Sequence, residues 1–199
     1  MADRSEDEQL DAIKRWWKEN GMSLIAGAAL AAAGVFGWNA WQDYQAGQAE
    51  AASIRYQQLV SLAAGDELDG EQLGEAREIV DEIVSEHDDT LYAELALLLD
   101  ARLAVQQDDL DSATESLTQV AESSSRRYVQ SLAWLRLARI AIANDDPARA
   151  LELLDEPITE ALAAQQANVR GDAHMAQGDQ DAARDAWQNA LELAQQQDQ

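Results

Sequence analysis

The chain has 199 residues, enough for one globular domain and a short appendage. Its formal net charge of −24 excludes nucleic acid as a partner, because so few cations cannot neutralise a phosphate backbone. It has no cysteine, which removes disulfides, thiolate metal sites and thiol nucleophiles. Only two prolines occur, and the helix formers Ala, Leu, Glu and Gln dominate over β-branched and aromatic residues, so the composition predicts an all-α fold. The first 20 residues hold 6 acids and 4 bases, among them both lysines, Lys14 and Lys18; beyond Asn20 there are 32 acids and 10 bases, all arginine.

In chain order, the acidic start before Leu10 is expected to lack fixed structure. From Leu10, the residues Leu10, Ile13, Trp16 and Trp17 recur at helical spacing and predict an interfacial helix that leads into a membrane. Residues 1–20 therefore read as a tail with an interfacial helix. Gly21 to Trp41 follows, with no charged residue between Glu19 and Asp43. As a helix it would be about 31 Å long, which fits a hydrocarbon core of about 30 Å, and we place the transmembrane helix at 21–42. Trp16 and Trp17 precede it and Trp38, Trp41 and Tyr44 close it, an aromatic belt at both ends. Lys14, Arg15 and Lys18 flank the N-terminal side, whereas no base occurs after it until Arg55. The positive-inside rule then places the N-terminus in the cytoplasm and the rest outside, a single-pass type II topology. A cleaved signal peptide would also have a basic start and small residues such as Ala31-Ala32-Ala33, but the apolar run continues past them. Gly27, Ala31 and Gly34 share one face, where small residues admit a second membrane helix; self-association is left open.

After the span the chain reads as helix upon helix. Ala46 to Ala64 is predicted to continue the membrane helix outward, and Gly65-Asp-Glu-Leu-Asp-Gly70 to break it. Gly74 to Glu86 follows, with Ala76, Ile79, Val80 and Ile83 on one stripe. Further helices are predicted over 91–106, 110–121, 128–143, 148–154, 161–176 and 181–195. Asp146-Pro147 reads as an N-cap with proline at the first helical position, Gly178-Asp179 as the end of one helix and the start of the next, and Pro157 as a stop. Residues 43–90 form a divergent first repeat or a cap.

Helices of this length call for a repeat search. Gly171, Gly178, Ala183, Trp187 and Ala190 resemble the tetratricopeptide signature of small residue, turn glycine, alanine, aromatic and alanine. The frame extends upstream to Trp134, Leu137, Ala138, Ala150 and Leu154, and before that to Leu97, Ala101, Ala113, Leu117 and Val120. Residues 91–199 thus read as three tetratricopeptide-like repeats with Ala101, Ala113, Ala138, Ala150, Gly171, Ala183 and Trp187 at their packing seams.

Two further segments carry a resemblance over the whole chain. One is Ala12-Ile-Lys-Arg-Trp-Trp-Lys-Glu-Asn-Gly21 with the span ending Gly37-Trp38-Asn-Ala-Trp41. The other is Leu135-Arg-Leu-Ala-Arg139 with Val169-Arg-Gly-Asp-Ala173 and Gln177-Gly-Asp-Gln-Asp-Ala-Ala-Arg-Asp-Ala-Trp187. In these the chain resembles the YfgM-like family, ancillary subunits of the bacterial SecYEG translocon. The resemblance implies an inner-membrane protein with a periplasmic repeat domain. It also implies association with the SecYEG translocon and with a PpiD-like membrane-anchored periplasmic chaperone, and a part in handing secreted proteins onward.

No catalytic signature accompanies this. His87 lies among Glu86, Asp88 and Asp89 in an acidic loop where solvated residues are expected, and His174 takes a repeat position usually filled by an aromatic ring. There is no phosphate loop, nucleophile elbow or zinc motif, so neither an enzyme nor a cofactor is expected. A binding groove is expected instead. The repeat frame places Leu98, Arg102 and Val105 on its first helix, Leu135, Arg139 and Ile142 on the next, and Asn168, Asp172 and Met175 on the last. Apolar groups beside two arginines suit a segment with an acidic residue, although the same leucines could pack between repeats. Two functions stay open: a scaffold at a secretion channel, and a self-assembling membrane adaptor with a cytoplasmic regulatory tail.

Overall fold

The computed structural model describes residues 3–65 and 68–197, with side chains from Lys14 onward. It contains α1 (Asp3–Leu62), α2 (Gly70–Glu86), α3 (Leu91–Gln106), α4 (Leu110–Ser123), α5 (Arg127–Ala143), α6 (Pro147–Leu153), a 3-10 turn at Glu160–Leu162, α7 (Ala163–Ala176) and α8 (Gln180–Gln197). No strand occurs among the described residues, as an all-α composition requires. The chain divides into two units, Met1–Gln48 and Ala49–Gln199.

The first unit is helical from Asp3, so the acidic start is not without structure as expected. The segments expected as an interfacial helix, a membrane span and its continuation are one uninterrupted helix, Asp3–Leu62. The reason is local: glycine costs about 1 kcal/mol against alanine in a helix but removes no hydrogen bond, and the first proline is Pro147. The expected stripe partners Leu10 and Ile13 lie outside the described side chains. Met22, Ile25, Leu30, Val35 and Phe36 are exposed. Large apolar groups without protein cover need another apolar medium, and this part of α1 is long and apolar enough to cross a membrane. Trp38 and Trp41 pack ring on ring at 5.1 Å. Gly27, Ala31 and Gly34 are exposed, and a Cβ on either glycine would meet nothing within 4 Å.

In the second unit the helices pack in chain order, each against the next from α2 to α8, and α5 also touches α7. The hairpin turns explain this regularity. Between α3 and α4, α5 and α6, and α7 and α8, one residue has a positive φ: Asp108 (61°), Asp145 (58°) and Gly178 (84°). The next residue is always aspartate. Its N–H reaches back to a carbonyl five residues earlier: Asp109 to Ala104 at 2.9 Å, Asp146 to Ala141 at 2.9 Å and Asp179 to His174 at 3.0 Å. Its side chain then caps the new helix, accepting from the N–H of Ser112, Arg149 and Ala182 respectively. One turn thus closes the last carbonyls of one helix and the first amides of the next. At α2 the cap is Asp69, which forms a reciprocal box with Gln72 and starts the helix at Gly70 rather than at the expected Gly74.

Four residues beyond each turn aspartate comes a buried alanine: Ala113, Ala150 and Ala183. Ala76 of α2 is buried likewise, and Ala76, Val80 and Ile83 keep the spacing of Ala113, Leu117 and Val120. The facing seam is made by Ala101, Ala138 and Gly171, also buried. Small groups on both sides let helix axes approach closely, while Leu59, Ile83, Leu117 and Leu154 fill the layers between. Each such leucine contributes about 1.5–3 kcal/mol of burial. Tyr56, near the end of α1, packs on Tyr92 of α3 at 5.8 Å, and Arg55 pairs with Glu82 of α2 at 2.8 Å. Two arginines seal helix ends where carbonyls point outward: Arg102 donates to Ala63 O at 2.9 Å and Arg170 to Leu154 O at 2.8 Å.

Candidate protein-docking groove

The first helices of successive hairpins, α3 and α5, carry Arg102, Val105, Arg136, Arg139 and Ile140 on one side. Together these line a cleft of about 350 Å³. Its floor is apolar because α4 starts there with Leu110 and because Ala101 and Ala143 are too short to fill it. A second cleft of about 510 Å³ lies between α5, α7 and α8, bounded by Arg139, Asn168, Trp187 and Leu191. Arg139 borders both, so the two form adjoining stretches of one side of the stack.

The expected groove residues do not all reach a cleft. Arg102, Val105, Arg139 and Asn168 are exposed and line the clefts. Leu98 and Leu135 do not: they are buried among the core side chains, packing between repeats. At this helical position the neighbouring hairpin already covers the side chain. Ile142 is half-buried against the core, and Met175 is exposed but borders neither cleft. Asp172 is engaged, its Oδ1 accepting the Trp187 indole N–H at 3.1 Å, so it holds the aromatic wall of the second cleft in place.

Arg136 was not among the expected residues. Its Nη1 donates to Leu98 O at 3.1 Å. Burial first, then the charges of Arg139 and Arg102, hold its pKa below the ordinary arginine value. It remains charged at neutral pH all the same. Two signals in the sequence point to it: it stands three residues before Arg139 on a helix, hence on a neighbouring face, and about one repeat of 34 residues after Arg102. The histidines lie elsewhere. His87 ends α2 as its C-cap, with its N–H donating to Ile83 O at 3.0 Å. His174 is half-buried on α7.

Hairpins stacked in sequence over a small-residue seam, with one side of the stack left open, are the architecture of helical-repeat proteins. The chain matches the tetratricopeptide repeat-like domain over residues 14–199. It is 32% identical over 185 residues to an ancillary SecYEG translocon subunit of Haemophilus influenzae, covering 93% of this chain and 88% of that one. It is also 32% identical over 184 residues to the ancillary SecYEG translocon subunit of Escherichia coli, covering 92% and 86%. A relative of the same name from Neisseria gonorrhoeae is 26% identical over 187 residues. The chain belongs to this tetratricopeptide repeat-like family of ancillary SecYEG translocon subunits.

Proposed function

We propose that the chain is a membrane-anchored protein-binding scaffold, held in the inner membrane by α1, with its repeat domain in the periplasm. There it associates with the SecYEG translocon and a PpiD-like chaperone and assists the handover of secreted proteins. The observation that carries this reading is the 32% identity along nearly the whole of both chains to proteins named as translocon subunits. Three features support it. The exposed apolar side chains of α1 suit lipid, and the basic flank of Lys14, Arg15 and Lys18 argues for a cytoplasmic N-terminus. The open side of the hairpin stack offers lined clefts to a partner segment.

Photocrosslinking in native membranes tests this directly. Probes replace Gly27 and Gly34 in the span and Val105 and Asn168 in the clefts. Adducts to translocon subunits from the span, and to a periplasmic foldase from the clefts, are expected. Adducts only to further copies of the chain would overturn the scaffold reading in favour of a self-assembling adaptor.

A further inference from the structure

The arginines of the repeat domain are not used alike. Beyond Asn20 there are ten, and six pair with a carboxylate: Arg55, Arg77, Arg126, Arg149, Arg170 and Arg184. The other four make no ion pair among the described residues, although acids outnumber bases 32 to 10 in this part of the chain; Arg127 stands exposed at the start of α5, and the remaining three are Arg102, Arg136 and Arg139. These three line a single cleft. Two of them are held there by carbonyls, Arg102 on Ala63 O and Arg136 on Leu98 O. A carbonyl orients a guanidinium without neutralising it, and each guanidinium has five donors, so most stay uncommitted. Arg139 is exposed beside them. Like charges this close repel, and Arg136 is half-buried as well. Side chains free to swing apart would relieve the strain, but two of the three are tied down.

We propose that the cleft between α3 and α5 is a carboxylate-recognition site for an extended acidic segment of a partner protein. An Asp or Glu side chain of that segment sits between the guanidiniums of Arg102, Arg136 and Arg139, and a neighbouring aliphatic side chain covers the exposed Val105. Charge complementarity selects this occupant. Arginine forks match carboxylates in two-point geometry. An acidic segment is repelled by most of so acidic a domain and attracted to this group of three guanidiniums, which sets its register. The apolar floor disfavours a bare inorganic anion, which would leave Val105 wet. The site rests on the scaffold reading and names the partner chemistry that reading lacks.

The test uses the full chain in detergent micelles and fluorescence anisotropy. The probe is a labelled peptide of alternating leucine and glutamate, compared with the same peptide carrying glutamine at every glutamate. The acidic peptide is expected to bind at least about tenfold more tightly, with a preference that shrinks as salt rises. The double variant Arg102→Gln/Arg139→Gln is expected to lose the preference with its circular-dichroism helix signal unchanged, and Arg139→Lys to keep part of it. Equal binding of the two peptides, or an acid preference that survives the double variant, overturns the proposal. So does displacement of the peptide by equimolar inorganic phosphate, which would make a small anion the occupant. The span crosslinks report separately: their absence beside an intact acid preference overturns the scaffold and leaves the site, and the converse result overturns the site alone.

Discussion

The indole of Trp187 occupies the space that a side chain on Gly171 would need. The same ring donates its Nε1–H to Asp172, the next residue on α7, so α7 and α8 are joined by a close packing contact and an adjoining hydrogen bond. Gly171→Ala gains helix propensity of about 1 kcal/mol but drives a methyl group into the indole, an overpacking cost of about 1–3 kcal/mol. A net loss of stability is expected in denaturant titrations. Trp187→Leu in the same chain should recover part of it, because the ring that clashes is gone. A Gly171→Ala variant as stable as the parent would show that the indole can move aside.

The turns make a second prediction. Asp108 and Asp145 adopt left-handed backbone where the third turn has Gly178. An L-residue there costs about 1 kcal/mol, less for aspartate than for most. Asp108→Gly and Asp145→Gly should each raise the midpoint of thermal unfolding, by the equivalent of about 0.5–1 kcal/mol, and Gly178→Ala should lower it by about 1 kcal/mol. Thermal melts of the three variants decide this by sign alone.

Glu94 of α3 is buried, and Arg126 at the start of α5 pairs with it at 2.9 Å. The other carboxylate oxygen, Oε2, has no hydrogen-bond partner among the described residues. Removing the arginine would leave a buried charge uncompensated, at a cost of about 2–4 kcal/mol, whereas Glu94→Gln removes the charge itself. Arg126→Ala is therefore expected to destabilise more than Glu94→Gln, and the double variant less than Arg126→Ala alone. Additive losses in that cycle would rule out the coupling.

Asp109, the cap of α4, has a pKa below the ordinary 3.8. The Ser112 hydroxyl at 2.7 Å lowers it most, then the Ser112 backbone N–H, with Arg77 adding a smaller effect. A carboxylate depressed in the folded state stabilises fully above its unfolded value, and that contribution fades as pH falls through the window below it. The gap in melting temperature between the parent and Asp109→Asn should be level at neutral pH and narrow below about pH 3.8. A gap that widens toward acid would contradict the sign.

The helices of the repeat domain were legible because their causes are local. Apolar spacing, Asp146-Pro147 and Gly178-Asp179 place helix ends within a residue or two, and Leu91–Gln106 has the expected bounds. The buried alanines Ala113, Ala150 and Ala183 could be read from their spacing alone, since a helix face repeats whatever its neighbours are. The turns at Asp108 and Asp145 were not legible as copies of Gly178, because aspartate reaches the left-handed region without announcing it in the residue type. Which groove residues face a cleft was decided only by tertiary structure. Leu98 and Val105 lie on the same helix, yet the neighbouring hairpin buries the first and leaves the second open. Arg136 joined the cleft for the same reason. A side chain's helical position follows from its own sequence, but its exposure and charge neighbours depend on residues one repeat away, and those distances exist only once the hairpins have stacked.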